Sequence, residues 1–186
     1  MESIRAFIAL PTDSSVRERI ALTLKELQDV NADVRWENIE KLHITLKFLG
    51  NVEIEKFNHL SKALEERLKR FPPFEIVYRH LGGFPSLEHP RVVWIGAEHS
   101  RTLGEIQRVV EETSYEFGFK KEDREFHPHI TIGRVRGTRN LRRLTDKLKS
   151  LTFEPIRSLC SGVLIMQSTL HPTGSTYAVK KAFTLT

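Results

Sequence analysis

Apolar residues run almost unbroken from Ile4 to Leu10 and stop at Pro11, which predicts a buried first strand. Val16, Ile20, Leu24 and Leu27 then recur at helical spacing. With Asp13 or Ser14 as the cap, they predict a helix to about Val30. Val34-Arg35-Trp36 is a short strand. From Lys41 to Gly50 the period changes to two. Side chains on a strand alternate faces, so His43 and Thr45 share one face. Leu42, Ile44, Leu46 and Phe48 are expected on the other, in a core. An amphipathic helix follows from Glu53 to Arg70, closed by Phe71-Pro72-Pro73. Phe74 to His80 predicts a strand, and Leu81-Gly82-Gly83 the start of a loop reaching Pro90.

The second half repeats this rhythm. A strand is expected from Arg91 to Ala97. Ser100 caps a helix from Arg101 to about Phe117, stopped by Gly118. Lys120 to Glu125 is a charged loop that leads into a strand holding His129 and Thr131 on one face, Ile130 and Ile132 on the other. Arg139 to Ser150 is a short basic helix. Glu154 to Leu170 contains a long strand, and Ser175 to Leu185 pairs with it as a hairpin across the Pro172-Thr173-Gly174 turn. His43 and His129 lie 86 positions apart. A shift of about that size also lays Phe7-Ile8-Ala9-Leu10 on Trp94-Ile95-Gly96-Ala97. The reading is one domain over 1–186 with pseudo-repeats of about 1–88 and 89–186. Each repeat reads strand, helix, His-x-Thr strand, helix, strand.

Composition adds little to this picture. The chain has 186 residues, 39% of them hydrophobic, and a net charge of +5, a lean towards anionic partners such as RNA. One cysteine, Cys160, cannot make an intramolecular disulfide, and its apolar neighbours predict a buried small hydrophobe. No apolar run suits a membrane span. Met1-Glu2-Ser3-Ile4-Arg5 is no signal peptide, so a cytoplasmic protein is expected.

The chemistry lies in the two matched strands. Bare His-x-Thr is weak evidence, and His171-Pro172-Thr173 matches it too, but in turn-forming sequence. The other two copies set an imidazole and a hydroxyl together on a rigid strand. Histidine titrates near neutrality, so one copy can take a proton from a nucleophile while the other gives one to a leaving group. Thr45 and Thr131 can donate hydrogen bonds to charged phosphoryl oxygens. No metal or other cofactor is expected: His127-Pro128-His129 lacks a supporting ligand cluster. By alternation Arg134 falls on the core face with Ile130 and Ile132, unless Gly133 lets the strand bulge and re-aim it towards the phosphate. Arg136, Arg139, Arg142 and Arg143 form a basic cluster that suits either an RNA backbone or a solvated helix face. Tyr78, Trp94 and Phe48 could stack a base, but their strand contexts favour the core.

His43-Ile44-Thr45-Leu46 and His129-Ile130-Thr131-Ile132 resemble the signature pair of the two-histidine (2H) phosphoesterases. Within these, the chain is similar to the RNA 2′,3′-cyclic phosphodiesterases, also called 2′-5′ RNA ligases or LigT-like proteins. Phe7-Ile8-Ala9-Leu10, Phe126 to Arg134, and Ser168-Thr169-Leu170 with Gly174 and Tyr177 carry that resemblance further. It implies a bilobal α+β fold in which two antiparallel sheets with flanking helices line a cleft. It implies opening of a terminal 2′,3′-cyclic phosphate to a 2′-phosphate, with His43 as proton donor and His129 as acceptor, and with possible ATP-independent 2′-5′ ligation. It makes Arg134 the family's basic residue, with Arg136 and Arg139 as further candidates for phosphate or RNA. The expected partner is RNA with cyclic-phosphate ends, such as tRNA fragments, met by a monomer away from any membrane. Other readings are a small cyclic-phosphate metabolite or a 2′-5′ oligonucleotide as substrate, or a non-catalytic RNA-binding protein.

Overall fold

Asp13 caps the first helix by accepting a hydrogen bond from the Val16 amide at 2.9 Å. The computed structural model describes residues 2–172 and 174–186. Its strands are β1 (Ser3–Pro11), β2 (Val34–Trp36), β3 (His43–Glu53), β4 (Phe74–Phe84), β5 (Val92–Ala97), β6 (His129–Val135), β7 (Ile156–Cys160), β8 (Gly162–His171) and β9 (Gly174–Thr184). Its helices are α1 (Ser14–Gln28), α2 (Ile54–Leu68), α3 (Arg101–Glu116) and α4 (Leu141–Ser150), with a 3-10 turn at Ile39–Lys41. Ser100 caps α3 through the Leu103 amide, and Gly118 follows that helix at φ +76°, a left-handed stop that suits glycine. Among the described residues no helix is long and apolar enough to cross a membrane.

The architecture is α+β, as expected, and every strand pair is antiparallel. The strand order is β7-β4-β5-β6-β3-β1-β8-β9, with β2 added to β6. The two expected sheets are thus two halves of one path. Among the described residues they join between β6 and β3 at a single register pair, Ile44 with Ile130. Strands from both halves of the sequence enter both halves of the sheet. β4 pairs with β5 and β7, and β8 returns beside β1. One face of the sheet carries the helices. Ile8, Ile44, Ile95, Ile130 and Ile132 are fully buried against residues such as Ile20, Leu64, Leu103 and Ile106. Burying one such side chain contributes roughly 1.5–3 kcal/mol.

Three expectations change. The strand that begins at Phe74 does not end at His80: it runs through Gly82 and Gly83 to Phe84, because Gly82 makes room for the Trp94 ring and Gly83 for Pro90 and the Ser86 carbonyl, and neither turns the chain. The long strand expected within 154–170 is β8, which pairs with β9 as the expected hairpin, but a further strand, β7, precedes it and pairs with β4 at the other end of the path. Phe48 is 68% exposed and not in the core. The β1–β3 register explains this: Ile8 pairs with Lys47 but Ala9 pairs with Thr45, so Leu46 is an extra residue. A bulge of this kind reverses the alternation beyond it. Lys47 turns inward, 6% exposed, and Phe48 turns out.

Candidate active site

His43 opens β3 directly after the 3-10 turn. Asn38 caps that turn through the Glu40 amide, and Lys41 Nζ ties it to the Ser175 carbonyl of β9 at 2.8 Å. The His43 Nδ1 lies 2.6 Å from the Lys41 carbonyl. His129 opens β6 in the same way, with Nδ1 2.6 Å from the His127 carbonyl. A carbonyl only accepts, so each Nδ1 carries the hydrogen. Each neutral ring then keeps a lone pair on Nε2. The two histidines are therefore held in one tautomer and one orientation by the same local device.

The Ile44–Ile130 pair sits between them. Continuing that antiparallel register one step each way sets His43 across from Thr131, and Thr45 across from His129. All four are half-buried, while Ile44 and Ile130 are fully buried. The four predicted residues thus share the face of the sheet opposite the core, two from each strand.

Aromatic rings flank each imidazole. Phe7 lies 4.8 Å from the His43 ring and Tyr177 meets it edge-on at 5.5 Å. Phe84 meets the His129 ring edge-on at 5.0 Å, with Trp94 at 6.1 Å. Trp94 is half-buried on this face, while Tyr78 is the core residue expected. The repeat alignment had laid Phe7 on Trp94, and these prove to be corresponding neighbours of the two histidines. Phe84 and Glu37 carry no signal in the sequence, since both reach the site through long-range pairing.

Burial lowers both histidines below the usual imidazole range. For His43 the Lys41 carbonyl and the charge of Glu37 work against that shift, and His129 adds to it. For His129 the His127 carbonyl opposes it, while His127 and Arg134 push further down. The electrostatics are therefore unequal: Glu37 favours a proton on His43, and Arg134 disfavours one on His129.

Arg134 emerges where the strand bulges. Val93 pairs with Gly133 but Trp94 pairs with Thr131, so Ile132 is the extra residue, and Arg134 becomes exposed. Its Nε is 3.8 Å from Glu37 Oε1. Arg136 is exposed beyond it, and its amide bonds the Asp33 carbonyl. Arg139 donates to the Asn31 carbonyl at 3.3 Å, a contact to the turn after α1. Arg142 and Arg143 are exposed on α4. His171, at the end of β8 and not within the turn, lies 3.1 Å from Thr176 Oγ1; Thr173 of the third His-x-Thr lies outside the described residues. Cys160 is buried, and its burial raises the thiol pKa. Among the described residues no three His, Cys, Asp or Glu side chains converge as a ligand set.

The sequence matches the model of the 2′-5′ RNA ligase superfamily over residues 14–171. It is 34% identical over 183 residues to the RNA 2′,3′-cyclic phosphodiesterase of Methanothermobacter thermautotrophicus, covering 98% of this chain and 99% of that one. It is 35% identical over 181 residues to the protein of that name from Archaeoglobus fulgidus, covering 97% and 99%. The fold is similar to that of E. coli LigT complexed with 3′-AMP, with a TM-score of 0.81 at 25% identity, over 100% of this chain and 99% of that one. This chain belongs to the 2′-5′ RNA ligase superfamily.

Proposed function

We propose that the protein is a metal-independent RNA 2′,3′-cyclic phosphodiesterase that opens a terminal 2′,3′-cyclic phosphate to a 2′-phosphate. The observation that carries the reading is the pair of equally oriented imidazoles set across from two threonines at the β3–β6 seam; burial lowers both rings, and the charges beside them support the assignment of roles. Glu37 favours the protonated form of His43, which suits a general acid; Arg134 favours the neutral form of His129, which suits a general base. His129 Nε2 takes a proton from water as the water oxygen bonds to phosphorus. The bond from phosphorus to O3′ breaks, and His43 Nε2 gives its proton to that oxygen. Exchange with solvent then returns both rings to their starting states. Thr45 and Thr131 donate hydrogen bonds to the non-bridging oxygens, and Arg134 adds positive charge nearby. Each proton transfer is worth roughly 10²–10⁴ in rate.

The relatives named RNA 2′,3′-cyclic phosphodiesterase support RNA ends, such as those of cleaved tRNA, as the substrate. The reading extends to a monomer acting in the cytoplasm, with the whole chain, 1–186, as one bilobal unit. With an RNA 5′-hydroxyl in place of water, the same groups would form a 2′-5′ linkage without ATP, and by microscopic reversibility would cleave one.

The test is hydrolysis of an RNA oligomer ending in a 2′,3′-cyclic phosphate, in EDTA. The wild-type protein should turn over, while His43→Ala and His129→Ala, both folded, should not. Near-normal turnover by either variant, or none by the wild type, would overturn this reading.

A further inference from the structure

Beyond His129 the open face of the sheet continues across β5 to β4, and Trp94 covers it. Trp94 pairs with Gly82 on one side and Thr131 on the other. Its six-membered ring lies on Gly82 so closely that a Cβ there would overlap it; a Cβ on Gly96 would lie 3.1 Å from Trp94 Cζ3. Two glycines in neighbouring strands thus let the indole lie against the sheet. Beside it runs a groove of about 430 Å³, also walled by Arg79, Glu98, Glu125, His127 and Pro128. That size falls within the range of small-ligand sites.

The charge of this groove argues against a second phosphate. Among the described residues Arg79 is its one arginine or lysine, and it is already paired with Glu98. Glu125 adds another carboxylate. His80, His99 and His127 line it as well. Among the described residues a phosphate would meet no unpaired arginine or lysine there, whereas a base would meet the Trp94 ring and both donors and acceptors. Stacking a base on an aromatic side chain is worth about 1–3 kcal/mol.

We propose that this groove is the nucleobase subsite, in which the base of the terminal nucleotide stacks on Trp94 while its cyclic phosphate lies between His43 and His129. The proposal rests on the phosphodiesterase reading above. The 6.1 Å between the Trp94 and His129 rings leaves the ribose to bridge from base to phosphate. Stacking tolerates any base but is stronger for the larger ring system of a purine.

Trp36→Phe leaves Trp94 as the sole tryptophan. In that protein, 2′-AMP should quench the emission and inorganic phosphate should not. In otherwise wild-type protein, adenosine 2′,3′-cyclic phosphate should exceed the cytidine compound several-fold in kcat/KM. That ratio should fall to near one in Trp94→Leu and lie between in Trp94→Phe. Equal quenching by phosphate and 2′-AMP, no quenching by 2′-AMP, or an unaltered ratio in Trp94→Leu would each overturn the subsite. The quenching arm needs no replacement of Trp94, so a Trp94→Leu that fails to fold does not remove the test. Quenching without hydrolysis would overturn the phosphodiesterase reading and leave the base subsite standing; hydrolysis without quenching would do the reverse.

Discussion

Ile44 of β3 and Ile130 of β6 are the one register pair that joins the two halves of the sheet among the described residues, and both are fully buried. Everything on the opposite face is arranged about that pair. It puts a histidine of one strand across from a threonine of the other, twice. A phosphate bound over the seam would therefore meet a proton-transfer group and a hydroxyl on each side.

Thr45→Val and Thr131→Val test the hydroxyls, since valine keeps the β-branched shape and removes the donor. Each should cost about 2–4 kcal/mol of transition-state stabilisation, by analogy with loss of a single oxyanion donor. The loss should fall on kcat, with the pH optimum little moved, because both imidazoles remain. Steady-state kinetics on a cyclic mononucleotide decide it. A rise in KM with kcat unchanged would mean that the threonines bind ground state and transition state alike.

The histidine environments predict opposite responses to two substitutions. Burial, first of all, should make both rings titrate below 6.5 in the free protein. Glu37→Gln removes a charge that favours protonated His43, so His43 should titrate lower still. Arg134→Gln removes a charge that disfavours protonated His129, so His129 should titrate higher. A bound phosphate should raise both. Proton NMR titration of the imidazole signals reads each shift directly. Stability follows the same sign: below 6.5 the unfolded chain takes protons that the native rings resist, so stability should fall as pH drops through that value. An unchanged His43 titration in Glu37→Gln together with an unchanged His129 titration in Arg134→Gln would remove the basis for the acid and base roles.

Lys47 and Glu111 form a buried pair, 2.6 Å apart with side chains 5% and 15% exposed. Lys47 also donates to the Lys120 carbonyl, and Glu111 accepts from the Glu122 amide. The pair thus fixes the loop that leads to His127 and His129. Lys47→Met should strand a buried carboxylate and cost about 3–5 kcal/mol. The double variant with Glu111→Met should cost less, since no unpaired charge remains. Urea unfolding measures both. A Lys47→Met cost under about 0.5 kcal/mol would place the lysine among ordinary surface positions.

Lys47 also marks where the sequence stops being legible. The helices, the caps at Asp13 and Ser100, and the two His-x-Thr strands follow from local period and composition, and the structure has them near the expected bounds. Alternation counted from His43 puts Phe48 in the core. The bulge at Leu46 turns Phe48 out and Lys47 in, and periodicity has no signal for one extra residue. A bulge was expected near Gly133 to re-aim Arg134; the extra residue is Ile132, and Gly133 instead leaves room for Trp36, since a Cβ there would lie 2.6 Å from its ring. Gly82-Gly83 looked like a turn because glycine punctuates loops more often than it lies beneath a tryptophan. The passage of β4 to one half of the sheet and of β8 to the other depends on pairing between distant segments, which no local pattern carries.

The product of hydrolysis should be a 2′-phosphate. The two His-x-Thr strands are nearly symmetric, so they do not by themselves decide which ester oxygen leaves. The proposed base subsite, together with Glu37, supplies the choice. With the base on Trp94, beside β5, the 2′ side of the ribose lies towards that strand, because C2′ adjoins the carbon that bears the base. O3′ then points away, towards β3 and His43. His43, favoured in its protonated form by Glu37, would protonate O3′, while water activated by His129 enters from the opposite side, as in-line displacement needs. Phosphorus NMR of the product from adenosine 2′,3′-cyclic phosphate distinguishes the isomers. A 3′-phosphate as the main product would mean that the nucleotide lies the other way round, with its base against Phe7 and Tyr177. Trp94→Leu would then leave the purine preference intact, so the two experiments must agree.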